Sequence, residues 1–455
     1  MNFLKIIFPS IILIISFLLL IYTLYKSELI WNGDKRDYYK KYYLISSILI
    51  CFSIITFFIN DIIKQYLIIL GISLIVLLYL FEGYLTLNRQ FSKEQISKKQ
   101  LLKEQLYEKQ TGKKWDKRKK VEIYKDLKKK IDNITISFFP SNFIWKYYSN
   151  VLFPLSGLSN IKTIYCNENG YYSIYQADRH GFNNPDSEWD KKEIEYLLAG
   201  DSFVHGACIN RPNDISSVLR NLSKKSILNL GIGGNGPLIK FATLREYLNI
   251  KDTKVKKVLW FYYEGNDLIN LGNEKKNNIL NNYLKDLDFT QNLKFKHNDI
   301  DNLLSNLIEE RFEERQGEIE REITTFKIKL ISFIKIYYTR ISILTKLKPK
   351  TEPATVPELK QILQLTKELV NKNNSKLYFV YLPEYYRYAK TYDNTNYNLI
   401  KNAVTELKIP FIDIHKEIFE KEQNPLELFP FKQHGHYTVS GYKKVSETIY
   451  RYSKD

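Results

Sequence analysis

The chain has 455 residues, which allows two or three domains. Its 35 tyrosines and 26 phenylalanines exclude a disordered protein, its 3 cysteines exclude a disulfide-built scaffold, and its 18 glycines and 13 prolines exclude a collagen-like chain. The net charge of +18 comes from dispersed lysines rather than an arginine-rich stripe, so we predict contact with anionic lipid and no nucleic-acid partner.

Three uncharged apolar runs lie within the first 85 residues, over 6–25, 42–60 and 65–81. A bilayer core of about 30 Å needs roughly 17–25 such residues per helix. The alternative of a buried soluble helix bundle does not suit three runs so close together. The first run lacks a signal-peptide cleavage site, so we interpret it as an anchor. The sequence thus predicts a three-helix transmembrane region over 1–86 and excludes a purely soluble protein.

Charges beside these runs bear on orientation. Lysine and arginine are enriched in the loop after the first run and in the stretch after the third, whereas the opposite face has only Lys5 and Lys64. The enriched residues are Lys26, Lys35, Arg36, Lys40 and Lys41 in the loop, and Arg89, Lys93, Lys98, Lys99 and Lys103 after the third run. Because three spans put both stretches on one side, this count favours a cytoplasmic C-terminal part.

Two short regions follow the membrane runs. Residues 87–133 are rich in Lys, Glu and Gln with apolar residues at helical spacing, which predicts charged juxtamembrane helices. Residues 134–190 are rich in β-branched and aromatic residues, with turn signals at 169–170 and 183–185. That texture predicts a small β-rich module.

From 191 to 455 the chain alternates apolar strands with helical patterns. The predicted strands are EYLLAG (195–200), SILNLG (226–231), KKVLWFYYEG (256–265), KLYFVYLP (376–383) and PFIDI (410–414). Near-continuous apolar strands separated by helices predict an α/β fold with a doubly wound parallel sheet.

A strongly helical insertion over 272–356 interrupts this alternation between the third and fourth strands. Three hypotheses stay open for it. It forms a cap over the site, a surface that lies on the membrane, or a helical hairpin packed on the core.

Four unusual sequences follow predicted strand ends, where ligands bind in doubly wound sheets. They are GDSF (200–203), GIGGNG (231–236), EGND (264–267) and HGHY (434–437). In this order they resemble the four conserved blocks of the SGNH (GDSL-type) hydrolase superfamily, over 191–271 and 357–452. The preceding YQADRHGFNN is similar to a β-rich segment found ahead of such domains in bacterial envelope proteins. The resemblance implies a flavodoxin-like sheet and a membrane-anchored bacterial hydrolase.

The resemblance also implies roles for individual residues. Ser202 is the expected nucleophile and His436 the base that takes its proton. The oxyanion of an acyl-transfer intermediate needs preorganised donors. The family pattern assigns these to the Ser202 N–H, the Gly234 N–H and the Asn266 side chain, with Gly233 as an alternative to Gly234.

One position departs from the family pattern. The family usually has an Asp three residues before the catalytic His, and Gln433 stands there. Three hypotheses follow. The site works as a Ser–His dyad or with a backbone carbonyl as orienter, another carboxylate such as Asp413 or Glu384 orients His436, or the domain is weakly active or inactive.

No cofactor or metal is predicted. NLGIGGNG has a superficial likeness to a dinucleotide loop but lacks the full fingerprint and its acidic partner. The six histidines and three cysteines show no metal-ligand spacing. Serine acyl transfer requires neither.

Cys166 and Cys208 are either two buried thiols or a disulfide that pins the β module beside the site. Disulfides persist outside the cytoplasm and rarely within it. Anchored members of the family commonly modify envelope glycans or lipids on the outer face. Against the charge count, we therefore expect the C-terminal part on the extracytoplasmic side of a bacterial inner membrane.

The resulting hypothesis is a membrane-anchored serine esterase that removes O-acyl groups, with acetyl expected, from a saccharide or envelope glycan. One alternative is an O-acyltransferase that uses the same Ser–His site. Another is a catalytically degenerate scaffold or glycan-binding module. Gln433 favours this last alternative, and the intact Ser, Gly, Asn and His blocks oppose it.

Overall fold

The computed structural model describes residues 6–144, 152–250, 252–322, 325–347 and 352–454. Contacts divide the chain into two units. The helical unit contains the chain up to Glu94 and a later segment that begins at Thr325. The sheet unit contains the remainder.

The helices and strands of the described residues are numbered in chain order. The helices are α1 (Phe8–Leu24), α2 (Arg36–Phe58), α3 (Asp61–Thr111), α4 (Lys120–Lys128), α5 (Ser202–His205), α6 (Ile215–Ser223), α7 (Pro237–Tyr247), α8 (Asp267–Glu274), α9 (Asn278–Lys285), α10 (His297–Glu322), α11 (Thr325–Ile334), α12 (Tyr337–Leu347), α13 (Val356–Lys372), α14 (Tyr386–Ala389), α15 (Thr395–Glu406), α16 (Ile414–Glu417) and α17 (Val439–Ser453). The strands are β1 (Ile134–Ile136), β2 (Lys162–Ile164), β3 (Ile174–Gln176), β4 (Glu193–Ala199), β5 (Ile227–Asn229), β6 (Lys254–Tyr263), β7 (Lys376–Leu382) and β8 (Phe411–Asp413).

The helical unit has a membrane protein's distribution of side chains. Helix α1 with its continuation to Ile30, helix α2 and helix α3 are each long and apolar enough to cross a bilayer. Their large apolar side chains are mostly exposed, whereas small polar ones such as Ser53 are buried. The Ser53 hydroxyl donates a hydrogen bond to the Pro9 carbonyl of α1 at 2.8 Å, which joins the two helices. The prediction of three N-terminal apolar helices is confirmed.

The β-rich region forms a three-stranded sheet. Strand β1 pairs parallel with β2, through Thr135 and Thr163, and β2 pairs antiparallel with β3, through Thr163 and Tyr175. After this small sheet the chain continues to β4, the first strand of the main sheet.

The main sheet has five parallel strands in the order β5–β4–β6–β7–β8. Alternate residues of β6 enter two different cores, Trp260 on one face and Phe261 on the other. Helices α7, α13 and α15 cover the first face and α6 and α17 the second. The prediction of a doubly wound parallel sheet is confirmed. Its strand order reverses between β4 and β6, so the ends of these strands border the crevice where such sheets bind ligands.

The helical insertion divides between the two units. Helices α9 and α10 belong to the sheet unit, where Leu280, Ile300 and Leu304 are buried in the core. Helices α11 and α12 belong to the helical unit. The packed-hairpin hypothesis thus describes only the first part of the insertion.

Candidate active site

Ser202 lies at the turn from β4 into α5. Asp201 caps this short helix, since its Oδ1 accepts the Phe203 N–H at 3.0 Å. Phe203 and Val204 are buried beneath the turn, whereas Ser202 is only half-buried. The turn therefore presents the serine hydroxyl at the carboxyl edge of the sheet.

His436 lies in the loop that leads into α17. Thr438 caps that helix, and the neighbouring Tyr437 is fully buried with its hydroxyl bonded to the Pro383 carbonyl at 2.7 Å. These contacts fix the chain directly after the histidine. His436 Nε2 lies 2.8 Å from Ser202 Oγ, so the structure brings the two predicted residues together.

Glu168, from the hairpin between β2 and β3, contacts the other side of His436. Its Oε1 lies 3.0 Å from His436 Nδ1, and its Oε2 accepts the His436 backbone N–H at 2.7 Å. A carboxylate at Nδ1 favours the tautomer with a proton on that nitrogen, which leaves Nε2 free to accept the Ser202 proton. The three side chains form a continuous Ser–His–Glu chain of hydrogen bonds.

This arrangement corrects the expectation that Asp413 or Glu384 orients the base. The Asp413 carboxylate accepts the Tyr397 hydroxyl at 2.6 Å and caps α16 through the Lys416 N–H. The Glu384 carboxylate lies near Tyr392, where burial, Glu264 and Glu384 together raise the pKa of the tyrosine hydroxyl. Within the described residues neither carboxylate contacts His436, and Glu168 takes the position that Gln433 leaves without an acid.

The hairpin that carries Glu168 is held by a disulfide. Of the two alternatives for the cysteines, the structure contains the Cys166–Cys208 disulfide, two residues before Glu168. Asn169 on the other side donates its amide to the Cys208 carbonyl at 3.0 Å. The Ser173 N–H closes the hairpin on the Cys166 carbonyl at 2.9 Å. The acid is therefore tethered to the segment that follows the serine turn.

Gly435 allows the close approach of this carboxylate. A Cβ at Gly435 would lie 2.9 Å from Glu168 Oε2, nearer than side-chain atoms normally come. A side chain directly before His436 would therefore displace this carboxylate.

Charge reinforces the contact between Glu168 and His436. Burial disfavours a charged imidazole, but the Glu168 carboxylate outweighs it and raises the pKa of His436 above its ordinary value. Burial likewise opposes a charge on Glu168, yet the His436 ring, its hydrogen bonds and Lys103 hold the pKa of this carboxyl below its ordinary value. The pair therefore stabilises the imidazolium that forms when the ring takes a proton.

The loop that contains Gly234 is fixed by helix α8. Glu274 of α8 is fully buried and accepts the backbone N–H groups of Gly236 at 2.6 Å and Leu238 at 2.9 Å. Asn270 of the same helix donates to the Gly234 carbonyl at 3.3 Å. Gly234 itself has φ +79°, and a Cβ there would lie 2.3 Å from Ser141 Oγ, so only glycine fits.

Asn266 stands at the N-terminal cap of the same helix. Its buried Oδ1 has no hydrogen-bond partner among the described residues. The side chains of α8 thus hold the glycine loop. The Asn266 amide at the start of this helix makes no structural hydrogen bond among the described residues. The family resemblance implies that the Gly234 N–H and the Asn266 amide bind the oxyanion, together with the Ser202 N–H.

Glu168, His436 and Cys208 place three atoms of metal-ligand type within 4.8 Å of one another. The Cys208 sulfur is bonded to Cys166 and is therefore not a thiolate. The other two groups already bond to each other. This cluster does not fit a metal ion.

Comparisons with known proteins add the following. No family model and no curated protein matches the sequence. Among solved structures, a lipase/acylhydrolase from Enterococcus faecalis is 12% identical, with 57% of this chain and 94% of that chain covered and a TM-score of 0.31. An acetyl xylan esterase is 12% identical over 57% of this chain and 98% of that chain, with a TM-score of 0.33. A protein described as lipolytic and of the G-D-S-L family, from Desulfitobacterium hafniense, is 14% identical over 57% and 99%, with a TM-score of 0.30. At such values the activity has to be argued from the site itself.

Proposed function

We propose that this protein is a serine esterase anchored in a membrane, with Ser202, His436 and Glu168 as its catalytic residues. The observation that carries the proposal is the chain of hydrogen bonds from Ser202 Oγ through both ring nitrogens of His436 to Glu168. An isolated serine hydroxyl is a poor nucleophile, and a neutral imidazole held by a carboxylate is the base that activates it.

The reaction proceeds in two acyl transfers. Ser202 Oγ attacks the carbonyl carbon of the ester while His436 Nε2 takes the hydroxyl proton. The oxyanion is held by the N–H groups of Ser202 and Gly234 and the amide of Asn266. The intermediate collapses, the alcohol leaves with the proton from Nε2, and Ser202 keeps the acyl group. Water then attacks this acyl-serine with His436 again as base, which releases the acid and restores the serine.

The substrate we propose is an O-acyl group, with acetyl expected, on a saccharide or envelope glycan. Transfer of the acyl group to a saccharide hydroxyl instead of water uses the same residues and is the alternative to test. The degenerate-scaffold alternative loses its main support, because Glu168 supplies the carboxylate that Gln433 does not. The Cys166–Cys208 disulfide supports an extracytoplasmic active site in a bacterial inner membrane, since cytoplasmic thiols are kept reduced.

A fluorophosphonate probe on the purified full-length protein tests the proposal, since it labels activated serines. We expect the wild type to be labelled, and labelling to disappear in Ser202→Ala and His436→Ala. His434→Ala is the matched control, because His434 stacks on Tyr386 with ring centroids 5.2 Å apart and should be dispensable. Absence of labelling in the folded wild type, together with no release of acetate from acetylated saccharides, would contradict the proposal.

The same preparation separates the two fates of the acyl group. Incubation with an acetyl ester and an unacetylated saccharide should yield free acetate if water is the acceptor. Acetylated saccharide formed only when the acceptor is present would identify a transferase that uses this site.

A further inference from the structure

Helices α11 and α12, although inserted between two strands of the main sheet, pack against membrane helix α3. The Tyr79 hydroxyl of α3 donates to the Ile334 carbonyl at 2.9 Å, and its ring lies 5.6 Å from that of Phe333. Arg89 of α3 stacks on Tyr338 with its guanidinium 4.8 Å from the ring centroid. All of these residues belong to the helical unit.

A buried carboxylate fixes this packing. Glu82 of α3 is fully buried, and its two oxygens accept the backbone N–H groups of Tyr338 at 3.0 Å and Thr339 at 2.7 Å. Both N–H groups are in the first turn of α12, where a helix leaves its donors unpaired and its dipole favours an anion. An unpaired carboxylate in an apolar setting would be strongly disfavoured. Glu82 thus holds the first turn of α12 through two hydrogen bonds.

The described outward surface of the two helices is largely aliphatic, with the exposed Arg340 and Lys346 beside it. Their large aliphatic side chains remain about 40–60% exposed, namely Leu330, Ile331, Ile334, Ile341 and Ile343. On α3, next to the contact residues Tyr79 and Glu82, Leu77 and Leu80 are also mostly exposed. At 10 and 11 residues, neither helix is long enough to cross a bilayer.

We propose that α11 and α12 form a membrane-embedded hairpin whose outer face contacts lipid acyl chains. Lipid is the occupant because this exposed aliphatic face belongs to helices that pack on α3, which is long and apolar enough to cross a bilayer. Tyr337 and Arg340 suit the headgroup level, where aromatic and basic side chains concentrate. This inference concerns membrane contact and does not depend on the esterase reaction.

Spin labels on the full-length chain, reconstituted in phosphatidylcholine–phosphatidylglycerol vesicles, test this contact. Single cysteines replace Ile334 and Ile343 in a Cys51→Ser background, because Cys51 is the free cysteine of the described residues. Leu77→Cys is the lipid-facing control, and Leu287→Cys, 61% exposed in the sheet unit, is the water-facing control.

We expect oxygen, which partitions into lipid, to relax the labels at 334 and 343 more than a water-soluble nickel chelate does, as at position 77. Greater relaxation by the nickel chelate, as at position 287, would place the hairpin in water and overturn the proposal. Labels reached by neither reagent would also overturn it, because protein, such as a second copy of the chain, would then cover this face.

Glu82→Leu tests the anchor. We expect the label at 334 to become more mobile and to gain nickel accessibility, because the first turn of α12 loses its acceptor. Glu108→Leu, an exposed glutamate on the same helix, is the matched control and should leave the label unchanged. An unchanged label in Glu82→Leu would show that the carboxylate does not hold the hairpin.

Discussion

Glu168 reaches His436 from 268 positions earlier in the chain. Its contact with the ring has a measurable consequence in pH dependence. His436 must be neutral to accept the Ser202 proton, and the carboxylate favours the charged ring. The acidic limb of kcat/KM should therefore lie above the ordinary histidine pKa of 6.5, with activity rising as the pH increases through it.

Glu168→Gln should lower kcat by roughly 10⁴-fold, the loss typical of a triad without its acid. It should also move the acidic limb to lower pH, because the ring then loses its proton more readily. Full pH profiles of both proteins measure this shift. Glu384→Gln is the control and should keep the wild-type profile. A limb that stays in place after Glu168→Gln would mean that Glu168 does not act through His436.

At these single positions, the residues expected to carry the chemistry are those that follow strand ends. Ser202 and His436 were expected to pair, and the structure brings them within hydrogen-bond distance. Glu168 could not be predicted in this way, because its hairpin lies outside the main sheet and follows none of that sheet's strand ends. The signals available were the adjacent Cys166, whose bond to Cys208 ties that hairpin to the serine turn, and Gly435, which leaves space for a carboxylate.

At the scale of elements, the disulfide controls the placement of the hairpin between β2 and β3. Without it, the hairpin would be held by weaker contacts: Asn169 on the Cys208 carbonyl, Asn167 on the Asp116 carbonyl at 2.9 Å, and the Asp116 N–H on the Gly170 carbonyl at 2.9 Å. Misplacement of a catalytic group by about 1 Å can cost roughly 10²-fold in rate. The double variant Cys166→Ala, Cys208→Ala should therefore lower kcat/KM by up to about 10²-fold.

The readout that separates positioning from a general loss of stability is the pH profile. The acidic limb should move in the same direction as in Glu168→Gln, because the carboxylate spends less time against His436. Cys51→Ser should have no effect on either quantity. An unchanged kcat/KM in the double variant would show that the remaining contacts suffice to place Glu168.

Strands were easier to predict than helical insertions. Four of the five strands occur where apolar runs end at glycine or proline, and the fifth follows Pro410. Strand β6 spans Lys254–Tyr263 against a prediction of 256–265. The division of the insertion was not predictable, because amphipathic helices suit a protein core and a membrane surface equally. In the structure, the contacts of Tyr79, Glu82 and Arg89 with α11 and α12 assign these helices to the helical unit.

At the scale of the molecule, orientation in the membrane is the open prediction. Flanking charge favours a cytoplasmic sheet unit, whereas the disulfide favours the outer side. With three spans, Lys35 and Leu287 share one side and Asn60 lies on the other. In a Cys51→Ser background, we expect a membrane-impermeant maleimide to label Lys35→Cys and Leu287→Cys in intact cells whose outer envelope is permeabilised. Asn60→Cys should react only after lysis, and the opposite pattern would place the active site in the cytoplasm.

The chain passes between the helical and sheet units three times, after Glu94, before Thr325 and again after α12. A protease that cuts between α3 and α4 would therefore sever one connection and leave two. Removal of the chain up to Glu94 would likewise leave the sheet unit joined to apolar helices, because α11 and α12 retain their apolar face. Shedding of the sheet unit, or its production as a water-soluble fragment, requires excision of both segments.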